Sequence, residues 1–582
     1  MNGKIPTHQQ REIIEYDGDL LVTAVPGSGK TKTVIDKVES LTKTIDEKNI
    51  FVITYTYRAA DEVADRLSSR NIENTNVWSG TIHSFCLEFI INPNSSLVDD
   101  LSKGYDIVDE DDLTSIIRSC HEKLNISYNP YDKINLSLET DGSYSEINAS
   151  KRKIVEAVYH HLIQNRLISF DQILYYSYKI MSTHQYVARN IANGTEWIIV
   201  DEYQDTKELQ YQIIGAIALK ASDMKLMFVG DPNQAIYTSL GGVIKNKEQL
   251  DTLMNRNFCV KHLTGCFRSN QRIIDFYNNF ACEREEIQSN IANYVNPYVK
   301  YCSDIQVDAG VFGAFAKHYI DCFHEEGVGY SDICVILPRN AQLLGLSSWF
   351  LKEAPHIPID SPTITPLKKM DDGVWNNFVR LLFVSINYNN IFYYERLLRT
   401  SLREIELRFG IICTDKVETL IDHYLSNRFD SNAVATEVIE NESNKIFGEY
   451  IGLSVDIYVP HINFLIEATK KKIQNNNKTL FDTVSCFKQC YRGKNGVVFS
   501  TMHGCKGEEY RCVIVGGLNE YYVPYDGGTR NREESKRLLY VVMSRAKERL
   551  IISSRSPDPS PKYNRDYAVN YEIANCNFDF DV

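Results

Sequence analysis

The stretch at residues 20–35, "LLVTAVPGSGKTKTVI", decides the fold because it joins three elements in a fixed order. Residues 20–24 form an apolar run typical of a buried strand, "VPGSG" follows as a turn, and apolar residues at helical spacing come next. Gly27 and Gly29 relieve the steric limits of the turn, so that successive backbone N–H groups can converge on phosphate oxygens. The order strand, loop, helix therefore predicts a phosphate site at a helix N-terminus.

The two residues after the loop predict that the phosphate belongs to a nucleotide. Lys30 offers a point charge to the β and γ phosphates, and Thr31 offers a hydroxyl to magnesium. Ala24 departs from the strict G-x-x-x-x-G-K-[ST] pattern, which has glycine at that position. The alternative is an ordinary glycine turn before a helix with an exposed lysine, but the G-K-T order and the flanking elements favour a nucleotide. The predicted nucleotide-binding residues of this stretch are Ala24, Pro26, Gly27, Ser28, Gly29, Lys30, Thr31 and Lys32.

The rest of the chain repeats the alternation of strand and helix. Further apolar runs that predict buried strands lie at 51–56, 197–200, 225–230, 333–337, 497–501, 512–517 and 549–554. Helical patterns between many of them indicate an α/β fold with parallel sheets covered by helices on both faces. Strand signals are few between His83 and Trp197 and again from about residue 371 to 490, which predicts two helical insertions. With 582 residues the chain should have several domains.

Acidic and amide side chains follow two of these strands. Asp201 and Glu202 end "WIIVDE", at the edge of an open parallel sheet where ligands bind. Phosphoryl transfer to water needs one carboxylate to hold magnesium and a group that orients or deprotonates the water, and we assign these roles to Asp201 and Glu202 in that order. Gln234, after the strand at 225–230, is placed to hydrogen-bond the γ phosphate or the water. The alternative for all three is an exposed turn.

Two arginines are candidates for stabilising the charge that develops in phosphoryl transfer. Arg268 follows an aromatic residue and precedes a helical pattern, and Arg545 lies within a strongly helical pattern. The alternative for any single arginine is a surface residue.

Composition restricts the remaining function classes. The net charge of −13 has the wrong sign for a protein that coats nucleic acid by bulk charge, so any nucleic-acid path must be a local groove. The 14 cysteines are scattered, and Cys486 with Cys490 has no second pair, which supports neither a zinc site nor a disulfide framework. No apolar run reaches the roughly 20 residues that cross a bilayer, and the start lacks a signal pattern. We therefore expect a soluble, cytoplasmic protein without a membrane partner.

Taken in order, the motifs resemble those of the UvrD/Rep-type DNA helicases of superfamily 1, from about residue 6 to 555. The segments similar to the family are "THQQRE" (glutamine motif), "AVPGSGKT" (motif I), "ITYTYRAADEV" (motif Ia), "GTIHSF" (the short motif after it), "VDEYQDT" (motif II), "VGDPNQAIY" (motif III), "CFRS" (motif IV), "STMHGCKGEEY" (motif V) and "RLLYVVMSRA" (motif VI). Nine signals in one order are far more specific than any one of them.

This resemblance implies two RecA-like doubly wound motor domains, each with an inserted, mostly helical subdomain. We expect motor domain 1A at 1–88 and 190–264, insertion 1B at 89–189, motor domain 2A at 265–370 and 491–582, and insertion 2B at 371–490. The resemblance also implies ATP and Mg²⁺ as cofactors, with ATP between the motor domains. It further implies 3′–5′ translocation on single-stranded DNA or on the tail of a 3′-tailed duplex.

The resemblance also implies roles for individual residues. Gln10 would contact the adenine edge, Phe267 would stack on the adenine face, and Glu509 would contact the ribose. The residues implied around the γ phosphate and magnesium are Lys30, Thr31, Asp201, Glu202 and Gln234, with Arg268 and Arg545 from the second motor domain. The implied DNA-binding residues are Tyr55, Thr56, Arg58, Thr81, His83, Thr501 and His503.

The chain departs from the family pattern at several positions, most of them on the DNA path. Ser239 and Leu240 replace an aromatic residue and an arginine in motif III, Tyr57 and Arg58 replace Asn-Lys in motif Ia, and Lys32 replaces an arginine after motif I. The first interpretation is an ATP-driven 3′–5′ helicase in DNA repair or anti-phage defence.

The second interpretation, favoured by Ser239 and Leu240, is a DNA-sensing ATPase with weak unwinding. It would be a subunit of a larger defence complex of the Gabija type, with a nuclease on a separate chain. A purely structural role would leave a complete set of nucleotide residues idle. We interpret the acidic tail "NYEIANCNFDFDV" as a frayed terminus in preference to a partner-binding peptide.

Overall fold

A computed structural model describes most of the chain. The described residues are 5–45, 47–55, 57–68, 70, 72, 76–108, 110–129, 134–238, 241–291, 296–361, 374–384, 391–426, 429–475, 482–491, 495–523, 532–555, 558–559 and 566–581. The chain forms two compact units, the first made of Met1–Phe267 with Glu286–Asn290 and the second of Arg268–Glu285 with Ile291–Val582.

The first unit is built on a parallel sheet with, among the described residues, six strands. These are β1 (Leu20–Ala24), β2 (Asn49–Thr54), β3 (Val77–Thr81), β4 (Thr195–Asp201), β5 (Lys225–Gly230) and β6 (Cys259–Leu263). Their order is β3-β2-β4-β5-β1-β6, and every pairing is parallel. Leu21, Phe51 and Phe228 pack into a core on one face, while Val22 and Val52 pack into a core on the other. Both faces are therefore buried, which explains why the central strands are continuous apolar runs.

The second unit repeats this architecture. Its six described sheet strands are β7 (Tyr298–Cys302), β8 (Ile333–Leu337), β9 (Ile359–Asp360), β10 (Val497–Thr501), β11 (Tyr510–Val515) and β12 (Ala546–Ser553). Their order is β7-β12-β11-β8-β10-β9, again with parallel pairings. Side chains such as Phe312, Val335 and Ile514 form the core on one face of this sheet. The expected α/β class with two doubly wound parallel sheets is confirmed.

Helices connect the strands and also form the two long insertions. The α-helices of at least seven residues in the first unit are His8–Glu15, Lys30–Leu41, Tyr57–Ser68, Glu110–Lys123, Ala149–Gln164, Phe170–Thr183, Gln185–Asn193, Glu208–Ala218 and Lys247–Met254. Those in the second unit are Gln271–Tyr277, Ala309–Glu325, Asn340–Glu353, Val374–Phe383, Ile391–Phe409, Val417–Ser426, Ala435–Ser443, Val455–Asn475, Val484–Tyr491 and Arg532–Met543. No helix within the described ranges is both long enough and apolar enough to span a bilayer.

Each insertion has a hydrophobic core of its own. Between β3 and β4, residues such as Val108, Ile154 and Val158 pack together. Between β9 and β10, residues such as Phe378 and Phe447 do the same. The helical character of both insertions is as expected, and the domain boundaries given above remain predictions.

The interpretation of the acidic tail as a frayed terminus is wrong. Asn570 caps the short helix Tyr571–Ala574, and Ile573 in that helix is buried. Phe578 and Phe580 pack against Phe276 of the second unit. The tail therefore has both hydrogen-bonded and apolar partners, which a composition-based interpretation cannot detect.

Candidate active site

The phosphate loop connects the end of β1 to the start of the helix Lys30–Leu41, as the sequence predicts. Gly27 and Gly29 both adopt left-handed backbone conformations, with φ of 73° and 79°. A Cβ added to Gly29 would lie 2.9 Å from Nε2 of Gln10, so a side chain has neither the conformation nor the space it needs there. Ser28 Oγ is buried and has no hydrogen-bond partner among the described residues. A polar atom left in this way fits a loop that accepts a polar ligand.

Gln10 contacts this loop directly. It lies in the first turn of the helix His8–Glu15, where Thr7 N–H donates to its Oε1 at 3.1 Å in a capping box. Its Nε2 donates to Ser28 O at 3.1 Å. Gln10 is therefore held by both ends of its amide beside the loop, and its contact with adenine stays a prediction.

Lys30 lies beside the two carboxylates that follow β4. Its Nζ is 2.5 Å from Glu202 Oε1 and 3.6 Å from Asp201 Oδ1. Burial lowers the pKa of Lys30, but Glu202 and Asp201 outweigh burial and hold the pKa above its usual range. Burial raises the pKa of Asp201, and the charge of Lys30 opposes that rise. The structure thus brings the predicted lysine and the predicted acid pair together at the carboxyl edge of the sheet.

Glu202 has a strained backbone at this edge. Its φ of 56° and ψ of 41° lie in the left-handed region, which is rare for a residue with a long side chain. Glu202 N–H donates to Asp201 Oδ1 at 2.9 Å. Strain of this kind costs about 1–3 kcal/mol and is concentrated at functional sites. It turns Glu202 out of the strand direction and onto Lys30.

Gln204, which lies within the motif II segment "VDEYQDT" but was assigned no role there, links Glu202 to the predicted residue Gln234. Its Nε2 donates to Glu202 Oε2, and its Oε1 accepts Asp231 N–H at 3.0 Å. Asp231 Oδ2 in turn accepts from Gln234 Nε2 at 2.7 Å. A Cβ on Gly230 would lie 2.1 Å from Gln204 Oε1, so the glycine that ends β5 allows this approach. Gln204 is fully buried and was missed because carboxylates, and not an amide, were expected to act on magnesium and water in motif II.

The remaining nucleotide residues of the first unit lie around the same loop. Ala24 and Pro26 are buried, and Thr31 lies in the first turn of the helix beside Lys30. Lys32 instead pairs with Asp36 four residues along the helix, at 2.6 Å. Phe267 N–H donates to Gly27 O at 2.7 Å, so its backbone is fixed to the loop.

In the second unit, the structure brings together the predicted residues of motifs IV, V and VI. Arg268 Nε donates to Glu509 Oε2 at 2.7 Å, and its Nη1 donates to Ser544 O at 3.3 Å. Lys547, which the sequence did not single out, lies 2.8 Å from Glu509 Oε1. Burial raises the pKa of Glu509, but Arg268 and Lys547 outweigh burial and lower it to about 2.

Arg545 is deeply buried, whereas an arginine that contacts a ligand was expected to be accessible. It is 1% exposed. Its Nε donates to Val541 O at 2.8 Å and its Nη1 to Glu508 O at 3.1 Å. These bonds fix the guanidinium next to the Glu508–Glu509 segment of its own unit. Its role in phosphoryl transfer remains a prediction.

Among the predicted DNA residues of the first unit, Tyr55 has the most informative surroundings. Its ring stacks on that of Tyr237 with centroids 5.4 Å apart, so aromatic side chains that follow β2 and β5 meet. His83 packs edge-on against Phe170, and burial and Lys207 lower its pKa to about 4, which leaves the imidazole neutral at pH 7. Thr81 is buried, and its Oγ1 accepts Ser84 N–H at 3.2 Å.

The other predicted DNA residues divide between described and undescribed parts of the chain. Thr501 ends β10, where its Oγ1 accepts Gly504 N–H at 3.0 Å, and His503 is exposed nearby. Thr56 and the side chain of Arg58 lie outside the described residues, as do Ser239 and Leu240.

The residues of the first unit fit a nucleoside triphosphate with Mg²⁺. Two left-handed glycines, Lys30 and the buried Ser28 Oγ, which has no partner in the described part of the chain, converge at the N-terminus of a 12-residue helix. Asp201 and Glu202, which lie beside Lys30, provide oxygen ligands of the kind Mg²⁺ prefers.

Comparison with known proteins also indicates a nucleotide-dependent enzyme, of the helicase family. The UvrD/REP helicase N-terminal domain matches residues 6–255, and the UvrD-like helicase C-terminal domain matches residues 465–556. The chain is 24% identical to a probable DNA helicase II homolog of Mycoplasma capricolum, over 94% of this chain and 83% of that protein. It is 23% identical to the ATP-dependent DNA helicase PcrA of Bacillus subtilis, over 94% and 82%. It is 25% identical to the ATP-dependent DNA helicase Rep of Buchnera aphidicola, over 94% and 90%.

Proposed function

Because the chain belongs to the UvrD/Rep-type helicases of superfamily 1, we propose that it is an ATP-dependent DNA helicase that moves 3′–5′ on single-stranded DNA. The observation that carries this proposal is the contact of Lys30 with Asp201 and Glu202 beside the phosphate loop. This arrangement supplies the groups that hydrolysis of a γ phosphate requires. The relatives named as ATP-dependent DNA helicases support DNA as the substrate.

Each residue at the site has a step in this proposal. Lys30 and the N–H groups of the loop bind the phosphates and offset their charge. Asp201 and Thr31 would hold Mg²⁺, which when bound neutralises charge on the β and γ phosphates. Glu202, which lies 2.5 Å from Lys30 Nζ, accepts the proton of the attacking water. Gln204 fixes the second oxygen of Glu202 and joins it to Asp231 and Gln234.

The aromatic pair of Tyr55 and Tyr237 supports single-stranded DNA as the track. Aromatic rings stack on any base with about 1–3 kcal/mol per base, which suits a motor that has no sequence preference. Such a local platform can operate on a chain with a net charge of −13. The DNA-binding roles of Thr56, Arg58, Thr81, His83, Thr501 and His503 are part of the proposal and rest on the resemblance alone.

A second candidate function is a DNA-sensing ATPase with weak or no unwinding. Ser239 and Leu240 favour it, because they replace residues that grip the strand in the family. In this case the chain would act beside a separate nuclease in a defence complex. We place either activity in the cytoplasm, in DNA repair or in defence against foreign DNA, and copurification with the products of neighbouring genes would test for the nuclease.

Strand separation distinguishes the two candidates. The experiment measures ATP turnover with and without single-stranded DNA, and unwinding of duplexes that carry either a 3′ or a 5′ tail. The helicase proposal expects DNA-stimulated turnover and ATP-dependent separation of the 3′-tailed duplex only. Stimulated turnover without separation would support the sensing ATPase, and preference for the 5′ tail would contradict the proposed direction.

A further inference from the structure

The acidic tail occupies a specific site on the second unit. Both carboxylate oxygens of Asp581 pair with Arg272, which donates from Nε at 3.1 Å and from Nη2 at 3.2 Å. Arg272 Nη2 also donates to Asp579 O. A bidentate arginine–carboxylate pair fixes the orientation of the carboxylate in addition to pairing the two charges. The tail is therefore bound in one orientation along the helix Gln271–Tyr277.

Aromatic contacts hold the same segment from a second side. The Phe578 ring lies 4.2 Å from the Arg272 guanidinium and 4.9 Å from the Phe276 ring. Phe580 contacts Phe276 at 5.5 Å and Tyr301 at 5.4 Å between ring centroids. Phe578 and Phe580 are half-buried while Asp579, between them, is exposed, which is the alternation of an extended segment.

The backbone of the tail meets an open sheet edge. β7 is the outermost strand on its side of the sheet among the described residues. Asp581 N–H donates to Val299 O at 2.9 Å, and Val299 N–H donates to Asp581 Oδ2 at 2.7 Å. Outermost strands carry unpaired backbone groups that extended peptides bind, with side-chain pockets supplying specificity.

We propose that Arg272, Phe276, Tyr301 and the β7 edge form a peptide-docking groove for an extended Phe-x-Phe-Asp segment of a partner protein. The chain's own residues Phe578–Asp581 occupy this groove in cis and act as its competitive plug. The groove reads two aromatic side chains at alternate positions and a following carboxylate. Its positive arginine and apolar rings match that chemistry and no other part of the tail.

The tail regulates access by effective concentration. A covalently attached ligand on a short linker competes as if present at about 1 mM. A free segment with a dissociation constant of about 10 μM for the empty groove would then bind the plugged groove on the order of 100-fold more weakly. A partner must therefore arrive at high local concentration, which suits a complex assembled on the same DNA.

The groove is close in sequence to Arg268, a residue predicted to act on ATP. The helix Gln271–Tyr277 starts three residues after Arg268, and Asn270 caps it by accepting Ile273 N–H at 3.0 Å. The amide of Asn270 also donates to Lys547 O and Glu548 O, both at 3.0 Å. Exchange of the tail for a partner would therefore act on a helix that begins three residues after Arg268. Peptide binding itself does not depend on the proposed helicase activity.

Peptide binding to full-length variants tests the groove. The tail-off variant is F578A/F580A/D581A, which disables the plug and leaves the groove intact. The probe is a fluorescently labelled, C-terminally amidated peptide NFDFDV, and the control peptide is NSDSDV. Anisotropy titrations compare the wild type, the tail-off variant and the tail-off variant with R272E. A thermal melt establishes that each variant is folded, and D581N replaces the tail-off variant if the latter does not fold.

We expect the tail-off variant to bind NFDFDV at least tenfold more tightly than the wild type, and R272E or the serine peptide to remove this binding. D581N alone should give a smaller gain in the same direction. Equal affinity of the wild type and the plug variants, or binding that survives R272E, would overturn the proposal. A wild-type dimer that the tail-off variant loses would assign the groove to a second copy of the chain and would overturn it as well.

Discussion

At the residue scale, Glu202 is the centre of the site, because Lys30 contacts one of its carboxylate oxygens and Gln204 donates to the other. Lys30, Asp201 and Glu202 lie together as expected. Gln204 was missed because it lies inside motif II but acts only through Glu202, and Lys547 was missed because it directly follows motif VI as a surface-type cation. Which groups such residues touch is decided by tertiary contacts, and those cannot be derived from local sequence.

Gln204 should influence catalysis more than nucleotide binding. We predict that Q204M lowers kcat of ATP hydrolysis about 10- to 100-fold and changes KM less than twofold, because it frees Glu202 without touching the phosphate loop. Steady-state kinetics measures both constants. The matched control is Q172M, which removes a similarly buried glutamine whose Oε1 accepts Ser169 N–H in a helix cap. A similar loss of kcat in both variants would show that the effect is only structural.

Glu509 should make stability depend on pH in a defined direction. Its pKa of about 2 lies below the ordinary value, so its ion pairs stabilise the fold above about pH 4.5 and lose this contribution as the pH falls towards 2. We predict that E509Q costs about 1 kcal/mol at pH 7, a value reduced for the 45% exposure of the side chain. The difference in urea midpoint between the wild type and E509Q should be smaller at pH 4 than at pH 7. E418Q, at an exposed glutamate of the same unit, is the control, and a gap that widens on acidification would contradict this assignment.

At the element scale, burial explains which strands the sequence predicted. All eight predicted strands are present, and each of them lies inside its sheet within the described residues. The four that were missed, β3, β6, β7 and β9, are the outermost strands. Interior strands are covered on both faces and become apolar runs, whereas residues of β6 such as Lys261 and His262 remain accessible and break the pattern.

The phosphate loop should be more sensitive to a methyl group than its backbone strain alone explains. We predict that G29A loses nucleotide binding at least tenfold, because the new Cβ would meet Gln10 in addition to the cost of a left-handed conformation. G104A is the control, since Gly104 has a φ of 85° and no atom of the described residues lies within 4 Å of its Cβ position. G104A should lower the free energy of unfolding by about 1 kcal/mol without lowering the affinity for the nucleotide. Titration with a fluorescent ATP analogue compares the affinities of G29A and G104A. Equal losses of affinity in the two variants would contradict the assignment of Gly29 to the nucleotide site.

At the scale of the whole molecule, the sequence predicted two α/β units with helical insertions, and the structure has both. Cores such as that around Phe378 and Phe447 belong to an insertion alone, as its separate helical pattern indicated. The docked tail was not predictable, because Asp581 is separated from Arg272 by 309 residues and composition describes neither partner. Long-range contacts of this kind decide whether a polar segment is ordered.

The central claim is that ATP hydrolysis at Lys30 and Glu202 drives movement on single-stranded DNA. Its most direct test is the rate of ATP hydrolysis with and without single-stranded DNA for the wild type, K30A and E202Q, with ATP binding measured in parallel. We predict at least tenfold stimulation by DNA in the wild type, no turnover in K30A, and ATP binding without turnover in E202Q. Normal hydrolysis by K30A, or wild-type hydrolysis that ignores DNA, would contradict the account.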